Sequence, residues 1–334
     1  MLKVGLLIRE SDYPFFAKKI NHLVQFDYVF SVFGNGDYVD PQKLIVGFRA
    51  LVRFAKKNRD EEVCVVLFDV VPLAVRIALN VLSSSVVSLK VVFVQHGFFE
   101  IVGAKASRTL SWYVDNLAIA FAHIRYSHNV LNGFVEVVNY FQMGSWKAFP
   151  KFKEPLELDS GCFWDRASAE SLYAVGGCHI KQSVILGSPH FDEGKIKFYG
   201  NDLVAYISQP LSVTNHCSVV EFEHLLSRIS AEIQALGKRM IVIAHPKIPK
   251  EMLAGYEFTF LADVDEIKCS AVWGHFSSLL YSVPADMPIR LDCWGVEGLL
   301  EPVQQFKKQF EQRERVDGSA GEFEQKLNLL FKAS

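Results

Sequence analysis

Short apolar runs rich in β-branched residues recur along this chain, and helical patterns separate them. The clearest runs lie in the predicted strands 63–68, 90–94, 203–207 and 239–243. Uninterrupted runs of this length are typical of strands buried on both faces, which occur mainly in parallel sheets. Parallel neighbours need a crossover connection, so the alternation predicts an α/β fold with doubly wound, Rossmann-like sheets.

Weaker patterns complete the prediction. They indicate strands at 4–8, 28–32, 183–186, 258–261 and 271–272, and helices at 13–23, 41–57, 72–82, 108–123, 162–175, 219–236 and from 302 onwards. Residues 126–142 mix aromatic with β-branched side chains and are left unassigned. The predicted strands and helices are numerous enough for two domains.

The length of 334 residues also favours two domains over one core. We predict an N-terminal Rossmann-like domain over 1–194 and a C-terminal one over 195–310. The charged segment 311–334 is expected to be helical and to pack back on the N-terminal domain. The two domains are expected to face a central cleft, a common location for ligand sites.

Composition excludes some classes of protein. A net charge of −2 gives no sign of a nucleic-acid partner. Six scattered cysteines without a C-x-x-C pair favour free thiols in a reducing, cytoplasmic setting. No apolar stretch reaches the roughly 18–20 residues that span a bilayer. Peripheral association with the cytoplasmic membrane stays open, because 27 phenylalanines supply interfacial side chains.

A histidine follows one of the buried strands, in Gln95-His96-Gly97. Ligands of open α/β sheets bind beyond the carboxyl ends of the strands, and histidine titrates near neutral pH. His96 is therefore a candidate general base, although a histidine here could instead only cap the strand or bond a loop carbonyl. Asp69, at the end of another strand, and Glu100 are kept as alternative bases.

Two motifs in the second half suit a phosphate group. His245-Pro246-Lys247 places an imidazole and an ammonium at a strand end, where a plain transition to a loop is the alternative. Ser277-Ser278 precedes an apolar helical pattern. A helix N-terminus with free N–H groups binds anions, but a serine there also serves as an ordinary cap.

The order of these motifs resembles that of GT-B glycosyltransferases of bacterial surface polysaccharides. The closest groups are the CMP-sugar transferases (sialyl-, polysialyl- and Kdo-transferase-like) and the CDP-glycerol glycerophosphotransferases. The resemblance spans about residues 91–282. It rests on Gln95-His96-Gly97, Gly187-Ser-Pro-His-Phe-Asp192, Ser208-Gln209-Pro210, His245-Pro246 and Ser277-Ser278.

The resemblance implies roles for these residues. In the sialyltransferase families the His-Pro histidine and the Ser-Ser hydroxyls contact the CMP phosphate, which maps onto His245, Ser277 and Ser278. The donor site implied in this way also includes Gln209, Pro210, Pro246 and Lys247. In the glycerophosphotransferases a His-Gly histidine acts as base, which maps onto His96.

The chain also departs from both patterns. The interdomain Gly-x-Pro-Arg-x-Asp pattern is matched at Gly187, Pro189 and Asp192, but His190 replaces the arginine. Sialyltransferases carry an acidic pair plus glycine where this chain has Gln95-His96-Gly97. The acidic base of those enzymes therefore has no clear counterpart here.

The resemblance thus implies transfer of an acidic sugar, a sialic-acid-like nonulosonate or Kdo, from a CMP donor. The acceptor would be a hydroxyl of a glycan or glycolipid in capsule or lipopolysaccharide synthesis. No cofactor or metal is expected beyond the nucleotide-sugar donor, because a monophosphate leaving group needs no divalent ion. Contact with the inner membrane or with other polysaccharide-assembly proteins is left open.

Three alternatives remain at this point. The first is a glycerophosphotransferase that uses a CDP-glycerol-type donor at the same phosphate site. The second is an epimerase of the UDP-GlcNAc 2-epimerase kind, which would need several acidic residues in the cleft. The third is a non-catalytic GT-B-like domain that binds nucleotide or glycan.

Overall fold

The chain forms an α/β protein that divides into two compact units. The computed structural model describes residues 1–7, 20, 25–31, 41–68, 72–95, 117, 120–127, 129–143, 156–176, 178–185, 195–212, 216–260, 263, 265–284, 286–311, 325, 326 and 329. The described residues up to 185 belong to the first unit, and those of 195–311 to the second. Most of the tail 311–334 lies outside them, so its predicted packing stays a prediction.

The first unit is built on a sheet of six parallel strands in the order β2-β1-β3-β4-β5-β6. The strands are β1 (Leu2–Leu7), β2 (Tyr28–Ser31), β3 (Glu62–Leu67), β4 (Ser88–Val94), β5 (Leu156–Phe163) and β6 (Cys178–Ile185). The helices are α1 (Pro41–Lys57), α2 (Pro72–Ser83), α3 (120–126), α4 (Val130–Met143) and α5 (Arg166–Gly176).

Burial of the central strands explains this sheet. In β3 the five residues that follow Glu62 are all buried, and so are the last four of β4. Such runs place apolar side chains on both faces, and helices must cover both. The core therefore sits on the two strands that the sequence pattern marked most clearly.

The second unit has a parallel sheet of five strands in the order β10-β9-β8-β12-β13, beside a two-stranded pair of β7 and β11. The strands are β7 (Ile196–Phe198), β8 (Leu203–Ile207), β9 (Arg239–Ala244), β10 (Phe258–Phe260), β11 (Ile267–Cys269), β12 (Ala271–Gly274) and β13 (Ile289–Leu291). The helices are α6 (Val219–Ala235) and α7 (Glu297–Glu311), with short 3₁₀ helices at Lys250–Leu253 and Ser278–Ser282.

Both sheets reverse their strand order once. In the second unit the chain runs from β8 outwards through β9 to β10, then crosses to β12 and β13 on the other side. In chain order this is 3-2-1-4-5, which matches five strands of the Rossmann order 3-2-1-4-5-6, and its switch point lies between β8 and β12. In the first unit the reversal lies between β1 and β3, as in flavodoxin-like sheets.

Helix α6 supplies the crossover from β8 to β9, and its start is encoded locally. Ser218 and Glu221 form a reciprocal capping box, in which the Ser218 Oγ accepts the Glu221 N–H and the Glu221 carboxylate accepts the Ser218 N–H. The buried face repeats at helical spacing through Phe222, Leu225, Leu226, Ile229 and Ile233. Among the described residues, no helix is both long and apolar enough to cross a bilayer.

Candidate functional site

Three of the predicted donor-site motifs follow three neighbouring strands of the second unit. Gln209-Pro210 comes after β8, His245-Pro246-Lys247 after β9, and Ser277-Ser278 after β12. Because all these strands are parallel, the three motifs share one edge of the sheet, across about 10 Å given the usual strand spacing. The same edge contains the switch point, where open α/β sheets bind ligands.

His245 begins a tight turn. The Ile248 N–H donates to the His245 carbonyl at 2.9 Å, with Pro246 at the second position, where its fixed φ suits a β-turn. The Lys247 N–H donates to His245 Nδ1 at 3.2 Å. In the neutral imidazole that bond leaves the proton on Nε2, which can then donate to a ligand oxygen.

His245 is held in its neutral form. It is half-buried, and this burial, with a smaller contribution from the Lys247 ammonium, lowers its pKa below the ordinary value of 6.5. Pro246 and Lys247 are exposed. The turn therefore offers one N–H donor on His245 and one exposed positive charge on Lys247 close by.

Ser277 caps the 3₁₀ helix Ser278–Ser282. Its Oγ accepts the Leu279 N–H at 3.3 Å, which is the capping role that the sequence left open. The apolar pattern after it forms five residues of 3₁₀ helix, too short for the dipole argument of a long α-helix. Ser277 is 9% exposed, and the capping bond leaves its hydroxyl hydrogen unused.

The segment after β8 makes a tight local turn. The Leu211 N–H donates to the Gln209 carbonyl at 2.8 Å, and Pro210 is buried while Gln209 is half-buried. Ser208 is 1% exposed and its Oγ has no partner of ordinary hydrogen-bond geometry, although it lies near enough to the Tyr206 hydroxyl to act on its pKa. The polar atoms at this strand end thus include one buried hydroxyl that the sequence did not single out.

A buried polar chain ties the ends of β8, β12 and β13 together. His275, which is 0% exposed, contacts the Asp292 carbonyl through Nδ1 at 2.7 Å and the Tyr206 hydroxyl through Nε2 at 2.7 Å. A carbonyl only accepts, so Nδ1 carries the proton and the Tyr206 hydroxyl donates to Nε2. Burial lowers the pKa of His275 to about 4, which keeps this arrangement neutral.

The loop after β13 is fixed by the Asp292 carboxylate. One oxygen accepts the N–H groups of Cys293 at 2.7 Å and Trp294 at 3.2 Å, and the other accepts from Arg290 at 3.1 Å. Burial raises the pKa of Asp292, but the bonds from Arg290 and the two amides outweigh it and the net shift is downwards. Trp294 has a φ of 44°, an uncommon conformation for a bulky residue.

In the first unit, Gln95 anchors the end of β4. Its Oε1 accepts the Trp164 N–H at 2.8 Å, its Nε2 donates to Ser168 Oγ at 3.1 Å, and its carbonyl accepts from Trp164 Nε1 at 3.1 Å. Gln95 is 2% exposed. These hydrogen bonds hold the end of β4 in place, directly before His96 in the sequence.

The other predicted catalytic and interdomain-turn residues lie outside the described residues. These are the candidate bases His96, Asp69 and Glu100, and the turn residues Gly187, His190 and Asp192. Asp69 follows Phe68 directly after β3, one of the two strands at the switch point. His96 follows Gln95 at the end of β4, the next strand of the sheet.

The sequence patterns do not single out Tyr206, His275 or Asp292 as site residues. His275 stands inside the motif Gly274-His275-Phe276-Ser277-Ser278, so a polar residue directly at a strand end was the available signal. Within the part of the chain that the structure describes, no cluster of three or more His, Cys, Asp or Glu side chains is arranged to hold a metal. No protein-family model and no curated protein matches this chain.

Proposed function

We propose that this chain is a GT-B glycosyltransferase that moves an acidic sugar from a CMP-activated donor to a glycan hydroxyl. One observation carries the proposal. The motifs Gln209-Pro210, His245-Pro246 and Ser277-Ser278 follow three adjacent parallel strands at a switch point of the sheet. Motifs far apart in the sequence share the one edge where nucleotide ligands of such sheets bind.

The donor phosphate is proposed to bind at this edge in the second unit. The Nε2–H of neutral His245 and the hydroxyl hydrogen of Ser277 donate to phosphate oxygens, and Lys247 adds a positive charge. Donors aimed at the leaving phosphate stabilise the charge that develops on it, which is the usual way in which such sites lower a barrier.

The reaction is a displacement at the anomeric carbon. The acceptor oxygen forms the new glycosidic bond, the bond from that carbon to the phosphate oxygen breaks, and CMP leaves with the electron pair. The acceptor proton passes to His96, which acts as general base in the first unit. Such a base contributes roughly 10²–10⁴ in rate.

Acceptor-dependent release of CMP tests the proposal. CMP-linked nonulosonates, CMP-Kdo and CDP-glycerol are offered with oligosaccharide acceptors, and nucleotide release is followed for wild type, His96→Ala and His224→Ala. His224 is an exposed histidine on α6 and serves as the matched control. The proposal expects turnover with a CMP-sugar that falls by about 10²-fold or more in His96→Ala alone.

Three other results would favour a different function or a different base. Turnover with CDP-glycerol alone would favour a glycerophosphotransferase. Full turnover in a folded His96→Ala variant would overturn the assignment of the base. Nucleotide binding without release in the presence of every acceptor would favour a binding domain.

A further inference from the structure

One buried hydroxyl at the donor edge of the second unit has no hydrogen-bond partner. Ser208 is 1% exposed, and within the described part of the chain no atom forms a hydrogen bond of ordinary geometry with its Oγ. The nearby Tyr206 hydroxyl already donates to His275 Nε2 at 2.7 Å. A buried polar group without a partner costs free energy, and folded proteins contain few of them. The free protein therefore keeps the Ser208 hydroxyl at a cost to its stability.

Ser208 lies between the two groups that are proposed to bind the donor phosphate. It directly follows β8, which has β9 on one side and β12 on the other. The Ser208 N–H donates to the Ile243 carbonyl at 3.0 Å, two residues before His245. On the other side, β12 ends three residues before Ser277. A phosphate that contacts both His245 and Ser277 must therefore lie over the end of β8, where Ser208 begins the next segment.

We propose that the Ser208 hydroxyl donates to an oxygen of the donor phosphate, as a third group beside His245 and Ser277. Because the Ser208 Oγ has no bond to break, a change of its side-chain rotamer towards the strand end costs little. The bond to a charged oxygen then supplies a missing partner and does not replace an existing one, so its full value contributes to binding. The identity of the ligand rests on the proposed function, whereas the missing partner in the free protein does not.

This role predicts opposite effects of Ser208→Ala on stability and on binding. The substitution removes a buried hydroxyl that has no partner, so the free protein should be at least as stable as the wild type, while phosphate binding weakens.

Ser270 is a matched control, a buried serine directly before β12 and so at the opposite edge of the same sheet. Its Oγ donates to the Leu203 carbonyl at 3.0 Å and accepts from Lys238 Nζ at 2.9 Å. Ser270→Ala loses both bonds, so it should be less stable and should bind phosphate normally.

Two measurements on the wild type, Ser208→Ala and Ser270→Ala test the inference. Urea titration without ligand compares the midpoints of unfolding, and calorimetric titration compares the binding of CMP and of inorganic phosphate. We expect the midpoint of Ser208→Ala to equal or exceed that of the wild type and the midpoint of Ser270→Ala to be lower. Ser208→Ala should bind both ligands roughly tenfold more weakly, and Ser270→Ala should bind them like the wild type.

The failure of this inference and the failure of the proposed function give different results. A Ser208→Ala variant that binds CMP like the wild type overturns the role of Ser208 and leaves the proposed function in place. A urea midpoint as low as that of Ser270→Ala would show that the hydroxyl is bonded in the free protein, for example to a buried water, and also overturns the role. Phosphate binding that depends on Ser208, without any binding of CMP, supports the role and contradicts the proposed function. A wild type that binds neither ligand contradicts both.

Discussion

The Tyr206 hydroxyl donates to His275 Nε2 across 2.7 Å, and both side chains are almost fully buried. The bond joins the end of β8 to the end of β12, the two strands at the switch point. Through Nδ1 the same imidazole holds the Asp292 carbonyl at the end of β13. Three strand ends are thus fixed in position beneath the edge proposed to bind the donor.

Tyr206→Phe removes one hydroxyl from this buried chain. The His275 Nε2 then has no donor, and a buried unsatisfied acceptor costs about 1–3 kcal/mol. We expect the free energy of unfolding to fall by that amount in urea titration. Tyr256→Phe is the control, because the Tyr256 hydroxyl bonds Ser227 in an exposed setting, and it should change stability by less than about 0.5 kcal/mol. Equal costs for the two variants would contradict the account.

His275 also predicts how stability depends on pH. Burial lowers its pKa from 6.5 to about 4. Between pH 6.5 and 4, His275 is protonated in the unfolded chain but not in the folded chain. The free energy of unfolding therefore keeps its full value above pH 6.5 and decreases as the pH falls towards 4. The loss is on the order of 3 kcal/mol. Urea titrations at several pH values should show this decline, and His275→Asn should flatten it. An unchanged slope in His275→Asn would assign the decline to other groups.

Gly298 allows helix α7 to approach residue 216. A Cβ at this position would lie 2.1 Å from the His216 carbonyl oxygen, which belongs to the backbone and cannot swing away. We expect Gly298→Ala to lower the melting temperature, with a cost of about 1–3 kcal/mol. Gly200→Ala is the control, because nothing lies within 4 Å of its added carbon. A Gly298→Ala variant as stable as Gly200→Ala would show that Gly298 does not lie so close to the His216 carbonyl.

Gln95→Ala should destabilise the first unit. It removes the acceptor of the buried Trp164 N–H and the donor to Ser168, at a cost of about 1–3 kcal/mol. Gln234→Ala, at an exposed position of α6, should be nearly neutral. Chemical denaturation monitored by tryptophan fluorescence measures both variants. An unchanged free energy of unfolding in Gln95→Ala would show that the hydrogen bonds of Gln95 do not stabilise the end of β4.

The apolar runs of the sequence predicted four strands well. Strands β3, β4, β8 and β9 follow the apolar runs closely, since such runs suit only a strand covered on both faces. Strand β5 was missed because Asp159 interrupts its pattern. In the structure the Asp159 carboxylate accepts the Val91 N–H at 2.8 Å and pairs with Lys181 at 2.8 Å, partners that only the folded sheet supplies.

Helix boundaries were predicted less well. The helix predicted over 162–175 begins at Arg166, because Cys162 and Phe163 still belong to β5. The last helix was expected from Pro302, where proline suits a first turn, but α7 begins at Glu297 with Pro302 inside it. The unassigned stretch 126–142 is mostly helix α4, whose apolar residues lie on both its buried and its exposed sides.

Some features of the candidate site could also be predicted from the sequence, and others could not. Strand-end motifs such as His245-Pro246 are visible in the sequence, because a polar residue directly after a buried strand stands out. The bond from Tyr206 to His275 is not visible, since it depends on the pairing of β8 with β12, which are separated by more than sixty residues. Sequence order alone could not bring these two side chains together.

Calorimetric titration of CMP, CDP, UMP, UDP and GDP against the wild type, His245→Ala and His224→Ala tests the central claim most directly. We expect a cytidine nucleotide to bind most tightly and His245→Ala to weaken its binding roughly tenfold or more, since a hydrogen bond to a charged phosphate contributes about 1.5–3 kcal/mol. His224→Ala should bind like the wild type. Uridine-selective binding would contradict the CMP assignment, and cytidine binding unchanged in His245→Ala would contradict the proposed phosphate site.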